Sequence, residues 1–334
     1  MKTLLASAFL MVFLSFSANS DEKAKAPSTA DHLQNVSVTI RSEGQWSNGE
    51  GSGVIFTRKD AKGNQVNFVW TAAHVIDNLR STREVLVNGS KKTVVEFKDP
   101  MIVKEIRQNG RTVGRLQMDA EVLKYSDADD GHDLALLRVR KLNFVNDTVT
   151  FHLGDEIPKL GTDLLHVGSL LGQMGANSMT DGIYSQHGRL IKSLNKHVFD
   201  QTTVTAFPGS SGGGVYLKSN AQYIGMLVRG AGEGFNLIVP VRRMQEYCEK
   251  HKIMWALDPK LPMPSEDDLK KIPIEHEPKE KKEKSDTEEA ADAEDAEDVK
   301  KFPFMIRIYH KYNDDGRPDF LKIGPQPLKT MEKH

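Results

Sequence analysis

Three segments of the 334-residue chain carry side chains that could do nucleophilic chemistry together. They are Trp70-Thr71-Ala72-Ala73-His74-Val75, Gly131-His132-Asp133-Leu134-Ala135-Leu136-Leu137 and Phe207-Pro208-Gly209-Ser210-Ser211-Gly212-Gly213-Gly214. A serine set among glycines on a tight loop exposes its Oγ and leaves backbone N–H groups free to approach a developing oxyanion. The amides of Gly209 and Ser211 are the natural donors, since a glycine at 209 can adopt angles that turn its N–H inward. His74 follows two alanines, small enough to let the chain turn close against a barrel wall. Asp133 opens a strongly apolar strand, so its carboxylate would sit partly buried and need a partner such as an imidazole N–H. Asp127, Asp129 and Asp130 lie in a loop without strand support and are weaker candidates. That acid run also lacks the residue order and distal Glu of a calcium loop, so no metal is expected there. Taken singly, each segment has a plainer reading as a flexible turn, a core histidine or a loop carboxylate.

The hydrophobic pattern indicates what must position these groups. From Val36 to about Leu257, short apolar or alternating runs recur at 36–40, 53–56, 66–71, 85–87, 93–97, 134–139 and 223–228. Asn88-Gly89 and Asn109-Gly110 read as hairpin turns, because both residue types tolerate positive φ. Short strands at this spacing predict an all-β barrel or sandwich rather than alternating βα units. A span of about 220 residues suits two small barrels better than one, at about 36–145 and about 150–257, with the seam between Lys141 and Leu160. After Pro240, residues Val241, Met244, Tyr247, Cys248 and His251 share one side of a predicted helix. Cys248, the sole cysteine, is expected there as a buried small hydrophobe, and it excludes any intramolecular disulfide or multi-thiolate zinc cluster. Lys plus Arg number 45 and Asp plus Glu 46, a net charge of −1 that argues against a strongly basic nucleic-acid binder.

Taken in order, Gly51-Ser52-Gly53-Val54-Ile55, Thr71-Ala72-Ala73-His74-Val75, Asp133-Leu134-Ala135-Leu136-Leu137 and Pro208-Gly209-Ser210-Ser211-Gly212-Gly213 resemble the core motifs of the trypsin-like serine endopeptidases. They are most similar to the disulfide-free HtrA (DegP-like) branch. Segments 167–172, 180–185 and 234–240 are similar to further parts of that branch, and the likeness covers roughly residues 36–252. The order His, Asp, Ser is that of the chymotrypsin fold. The resemblance implies an all-β protein of two antiparallel six-stranded barrels with a C-terminal helix. It implies that Ser211 attacks the scissile carbonyl, His74 carries the proton, Asp133 orients His74, and the amides of Gly209 and Ser211 form the oxyanion hole. Ser210 is the rival nucleophile, but only Ser211 directly precedes Gly212-Gly213. The chain departs from the branch at Ser210, usually Asn or Asp, and at Gly214, usually Pro. It is also longer between His74 and Asp133, around 100–115, which reads as an extended hairpin. Residues 258–334 include the charged block and carry little patterned sequence, so the PDZ domain usual in that branch is not expected in them.

A pocket for Lys or Arg needs a buried carboxylate, and the position six before Ser211 is Thr205. With Phe207 and the apolar strand Met226-Leu227-Val228 lining the pocket, small or aliphatic P1 residues are expected; Arg229 reaching in would instead favour acid. The expected function is a serine endopeptidase working through an acyl-enzyme in protein quality control. The alternative is a non-catalytic binding or chaperone module on the same fold. No cofactor or metal is expected. The expected partners are polypeptide substrates, with no nucleic acid and no membrane beyond an export signal, and a homo-oligomer is one option.

Residues 1–20 combine a basic start, an apolar run from Leu4 to Phe16 and small residues Ala18 and Ser20, the pattern of a signal peptide for a periplasmic or secreted location. Residues 21–34 read as polar and mobile. Residues 258–300 are proline-rich and then acidic, with eight acids and no base between Asp286 and Asp298, and are expected as a disordered linker. Residues 301–334 regain apolar character at 304–309 and carry an Asp315-Gly316 turn, predicting a short hairpin or a strand added to a partner sheet.

Overall fold

The computed structural model describes residues 28–275, apart from 88, 109, 130, 192–196 and 231–233, together with 306–309. The expected signal peptide, the acidic run and the Asp315-Gly316 turn lie outside the described residues. The first described element, α1 (Thr29–Asn35), corrects the expectation of a mobile lead-in up to residue 34. Ser28 and Asp31 form a reciprocal capping box, which satisfies N–H groups at the start of the helix. Leu33 is fully buried in the core and holds this helix against the rest of the protein.

Six strands then close on themselves. β1 (Ser37–Glu43), β2 (Ser47–Lys59) and β3 (Gln65–Thr71) lead through the short α2 (Ala73–Ile76) to β4 (Arg80–Val87), β5 (Ser90–Phe97), β6 (Met101–Gln108), β7 (Arg111–Ser126) and β8 (Leu134–Val139). The antiparallel order β1-β6-β7-β8-β3-β2 returns to β1 through the β1–β2 pairing, so the ring has no free edge along those pairings. β4 and β5 stand apart as a two-stranded sheet. The long interval between His74 and Asp133 is therefore two hairpins, β4–β5 and β6–β7. Gly89 at φ 78° and Gly110 at φ 76° supply the positive φ that such tight turns require.

Residues 140–162 cross to the second barrel, built from β9 (Asp163–Leu170), β10 (Gly175–Leu190), β11 (Val198–Thr202), β12 (Gly214–Leu217), β13 (Tyr223–Gly230) and β14 (Asn236–Pro240). It is closed in the order β10-β11-β14-β13-β12-β9. α3 (Val241–Lys250) follows Pro240 and buries Val241, Met244, Tyr247 and Cys248. Two antiparallel six-stranded barrels and a C-terminal helix are thus the observed architecture. An aromatic ladder crosses the seam: Phe56 meets Phe151 at 6.1 Å between ring centroids, and Phe151 meets Tyr223 at 5.2 Å. Each such ring contributes about 1.5–3 kcal/mol on burial. After α3 the chain returns to the first barrel, where Trp70 Nε1 donates to Ala256 O at 3.2 Å and Arg58 Nε to Trp255 O at 3.0 Å.

Residues 258–275 correct the expectation that the linker starts at 258. Ser265 caps α4 (Glu266–Leu269), Leu269 is buried, and Met263, Ile272 and Ile274 pack on the core. Tyr125 N–H donates to Ile274 O at 2.8 Å and Lys124 Nζ to Pro273 O at 2.7 Å. The prolines here limit regular structure to the short α4 without excluding burial. β15 (Ile306–Tyr309) adds antiparallel to the first turns of β2, from Ile306 opposite Glu50 to Tyr309 opposite Ser47. The apolar tail thus extends a sheet of its own chain.

Candidate active site

His74 leaves the first barrel at the end of β3. Ala72 and Ala73, both fully buried, let α2 begin directly against the wall, and His74 is 6% exposed. Asp133 arrives from the loop between β7 and β8, which folds back on its own root. Ser126 Oγ accepts from His132 N–H at 2.7 Å and Asp127 O from Asp133 N–H at 3.1 Å. A Cβ at Gly131 would lie 2.5 Å from Ser126 Oγ, so only glycine fits this fold-back. Asp133 itself takes φ 55°, a conformation that costs a non-glycine residue about 1–3 kcal/mol. Its Oδ1 accepts from the His74 backbone N–H at 3.1 Å, and its Oδ2 lies 2.9 Å from His74 Nδ1. A carboxylate only accepts, so Nδ1 carries the proton and Nε2 presents its lone pair. That lone pair faces Ser211 Oγ at 2.7 Å.

Ser211 is held from both barrels. Ser211 O accepts from Ser52 N–H of β2 at 2.7 Å, and Gly209 O accepts from Ser52 Oγ at 2.7 Å. On the other side Gly212 N–H donates to Leu227 O at 2.8 Å, and Leu227 N–H to Gly213 O at 2.9 Å. Gly212 sits at φ 86°, and a Cβ there would fall 2.1 Å from Ser52 O. Gly209 sits at φ 96°, where a Cβ would fall 2.2 Å from Ser169 O. Pro208 O accepts from Leu171 N–H at 2.7 Å. A trans peptide opposes its C=O and N–H, so the Gly209 N–H points away from the Leu171 turn. Among the described residues neither Gly209 N–H nor Ser211 N–H has an acceptor. The turn beyond Leu171 is tied to β2 by Gln173 N–H donating to Glu50 Oε2 at 2.8 Å. Ser210 is fully buried, its N–H donating to Phe207 O at 2.9 Å and its Oγ accepting from Phe207 N–H at 3.2 Å. Gly214, the departure from the usual proline, leaves space that Tyr216 fills, for a Cβ there would lie 2.2 Å from Tyr216 Oη.

Sequence reasoning missed His166. It is fully buried in β9, donates Nδ1–H to Gly214 O across 3.0 Å, and its Cε1 lies 2.7 Å from where a Gly213 Cβ would be. Burial pushes its ring down to about 4, so it stays neutral beneath the serine loop. The one signal in the sequence was a lone histidine inside the apolar 164–168 run. Asp133 is also fully enclosed, and burial alone would push its carboxyl up. The His74 ring and its hydrogen bonds, then Arg229, outweigh that and hold it at about 2.

The expected pocket residues divide. Thr205 is exposed and Phe207 is 46% exposed, so both offer surface beside the serine loop. Met226, Leu227 and Val228 are fully buried. Met226 and Val228 belong to the main core, and Leu227 to a smaller cluster with Leu164, Tyr184, Val215 and Ile238. These three side chains therefore do not line a pocket: a barrel strand with both faces covered is apolar throughout. Val228 meets the site through its carbonyl, 3.3 Å from Ser211 Oγ. Arg229, weighed above as an arginine reaching into the pocket, is 5% exposed and places Nη2 4.0 Å from Asp133 Oδ2.

A family model described as trypsin-like peptidase domain matches residues 51–226. The chain is 30% identical over 179 residues to a serine protease Do-like HtrA of Lactobacillus helveticus, across 53% of this chain and 35% of that protein. It thus spans about a third of the length of this curated relative. Among solved structures, a variant of the HtrA-type protease AlgW with tripeptide superposes with a TM-score of 0.50 at 18% identity, covering 69% of this chain and 64% of that one, a likeness of fold. The matched family segment spans more than half of the chain and runs from β2 in one barrel to β13 in the other, so the chain belongs to the trypsin-like peptidase domain family.

Proposed function

We propose that the chain is a serine endopeptidase, with Ser211 as nucleophile, His74 as general base and then acid, and Asp133 as the group that orients His74. The observation that supports this most is the 2.7 Å approach of His74 Nε2 to Ser211 Oγ while Nδ1 rests on a buried carboxylate. As Oγ bonds to the scissile carbonyl carbon, its proton passes to Nε2. The carbonyl oxygen becomes an oxyanion that accepts from the N–H groups of Gly209 and Ser211, where losing one donor costs about 2.7–4 kcal/mol of barrier. The C–N bond then breaks, and the leaving amine takes the proton from His74. Water repeats the sequence on the acyl-enzyme and releases the acid. Asp133 keeps the proton on Nδ1 and stabilises the imidazolium formed in each half.

The substrates are polypeptides in extended form, and the role is protein quality control in an exported compartment. Neutral Thr205 and apolar Phe207 beside the serine loop support small or aliphatic P1 residues. Treating the full chain with a serine-directed phosphonate, and profiling cleavage sites in a denatured protein digest, tests both parts. Stoichiometric labelling lost in Ser211→Ala supports the mechanism. A folded sample that takes no label would identify a binding module on this fold instead, and cleavage concentrated after Lys, Arg or acidic residues would overturn the P1 assignment.

A further inference from the structure

The proposed triad makes no use of Arg229, yet the fold takes trouble to place it. Along β13 side chains alternate, and Leu227 belongs to the small apolar cluster with Leu164, Tyr184, Val215 and Ile238. Unbroken alternation would put Arg229 on that same face, where nothing apolar could pair its charge. The β13–β14 register shifts between Leu227 and Arg229, leaving Val228 as the extra residue of a bulge. Such bulges re-aim the side chains beside them. Here the bulge turns the Val228 carbonyl toward Ser211 and the Arg229 guanidinium toward Asp133.

Among the described residues, His74 and Arg229 are the two basic groups within ion-pair range of Asp133, at 2.9 Å and 4.0 Å. The other groups facing this acid are engaged elsewhere. Arg243 of α3 donates Nη2–H to His132 O at 2.6 Å and lies over the Phe199 ring at 4.6 Å. The His132 ring stacks on His197 at 4.2 Å and lies 5.0 Å from Tyr247. Tyr125 of β7 donates its hydroxyl to Asp77 Oδ1 at 2.7 Å. Asp127 accepts from the Asp133 N–H and the Asp129 N–H, and Glu246 lies on α3 near Arg243.

We propose that Arg229 is a positioning residue that shares the Asp133 carboxylate with His74 and so sets the lower pH limit of turnover. A guanidinium stays charged at every working pH. It lies within about 7 Å of His74 Nδ1, close enough in a dry site to oppose a second positive charge. Its fixed charge opposes a second positive charge on the His74 ring and offsets part of the attraction that the Asp133 carboxylate exerts on it. This rests on the triad reading of the preceding section.

The test is the pH profile of kcat/KM from about pH 5 to 9 for the full chain with Arg229→Met, Arg229→Gln and Arg229→Lys, beside Ser211→Ala. The neutral variants are expected to move the acid limb upward by about one pH unit, while Arg229→Lys leaves it within about 0.3 unit. An acid limb unmoved in a folded neutral variant overturns the proposal, as does an equal shift in Arg229→Lys, which would mark a packing effect. If both neutral variants fail to fold, a shifted limb in Arg229→Lys overturns it and an unshifted one supports it. Turnover surviving in Ser211→Ala would instead refute the triad itself.

Discussion

Acid should weaken this protein through histidines that have no place in the proposed chemistry, and His166 isolates the effect. In the unfolded chain its ring has the ordinary value of 6.5; in the fold, burial pushes it down to about 4. The unfolded state therefore binds more protons between those values. The stability this group contributes is fully present above about 6.5 and is lost as pH falls toward about 4. At pH 5 the unfolded ring is protonated and the folded one is not, a gap of about 1.5 pH units, or about 2 kcal/mol relative to pH 7. Against a typical total of about 5–15 kcal/mol, that is large enough to measure. His166→Gln removes the titration and leaves an amide N–H that can still donate to Gly214 O. Urea unfolding of parent and variant at pH 7 and pH 5 gives four free energies, and the cost of the substitution itself cancels between the two pH values. The parent should lose about 2 kcal/mol more than the variant on acidification. An equal loss in both would refute the reasoning, because His166 would then titrate alike in both states.

Two further outcomes follow, one from a contact beside the serine loop and one from the burial of α3. Glu50→Ala removes the acceptor for Gln173 N–H and frees the turn that fixes Pro208, so kcat should fall roughly tenfold or more with KM little changed; Glu50→Gln keeps an acceptor oxygen and should retain most of kcat, and steady-state kinetics separates the two. Cys248 is fully buried and burial pushes its thiol well up, so a chromogenic disulfide reagent should label nothing in the native protein and one equivalent in urea.

Much of the barrel architecture was written in local signals. Glycine-marked hairpins and alternating apolar runs give strands, and His74, Asp133 and Ser211 each stand in a segment whose neighbours are small or apolar for reasons of packing. What escaped the sequence depends on contacts between distant residues. The Gln173–Glu50 bond joins positions 123 apart, and neither residue type announces it. Met226, Leu227 and Val228 read as pocket residues because an apolar strand beside the nucleophile looks the same whether it lines a cleft or fills two cores. The direction of Arg229 turns on a single extra residue at Val228, a register event that propensity does not encode. The prolines of 258–275 predict an unstructured segment, yet Leu269, Ile272 and Ile274 anchor it to the core. α1 was missed although Ser28-Thr29-Ala30-Asp31 is a capping signature.

The short contact between Nε2 and Oγ joins groups carried by separate barrels, 137 residues apart along the chain. Turnover is therefore an alignment gauge as much as a chemical rate. A lesion among Phe56, Phe151 and Tyr223 that tilts one barrel by an ångström would silence the proposed hydrolysis while each half kept its secondary structure. Circular dichroism would call such a protein intact, and only the reaction would register the misalignment.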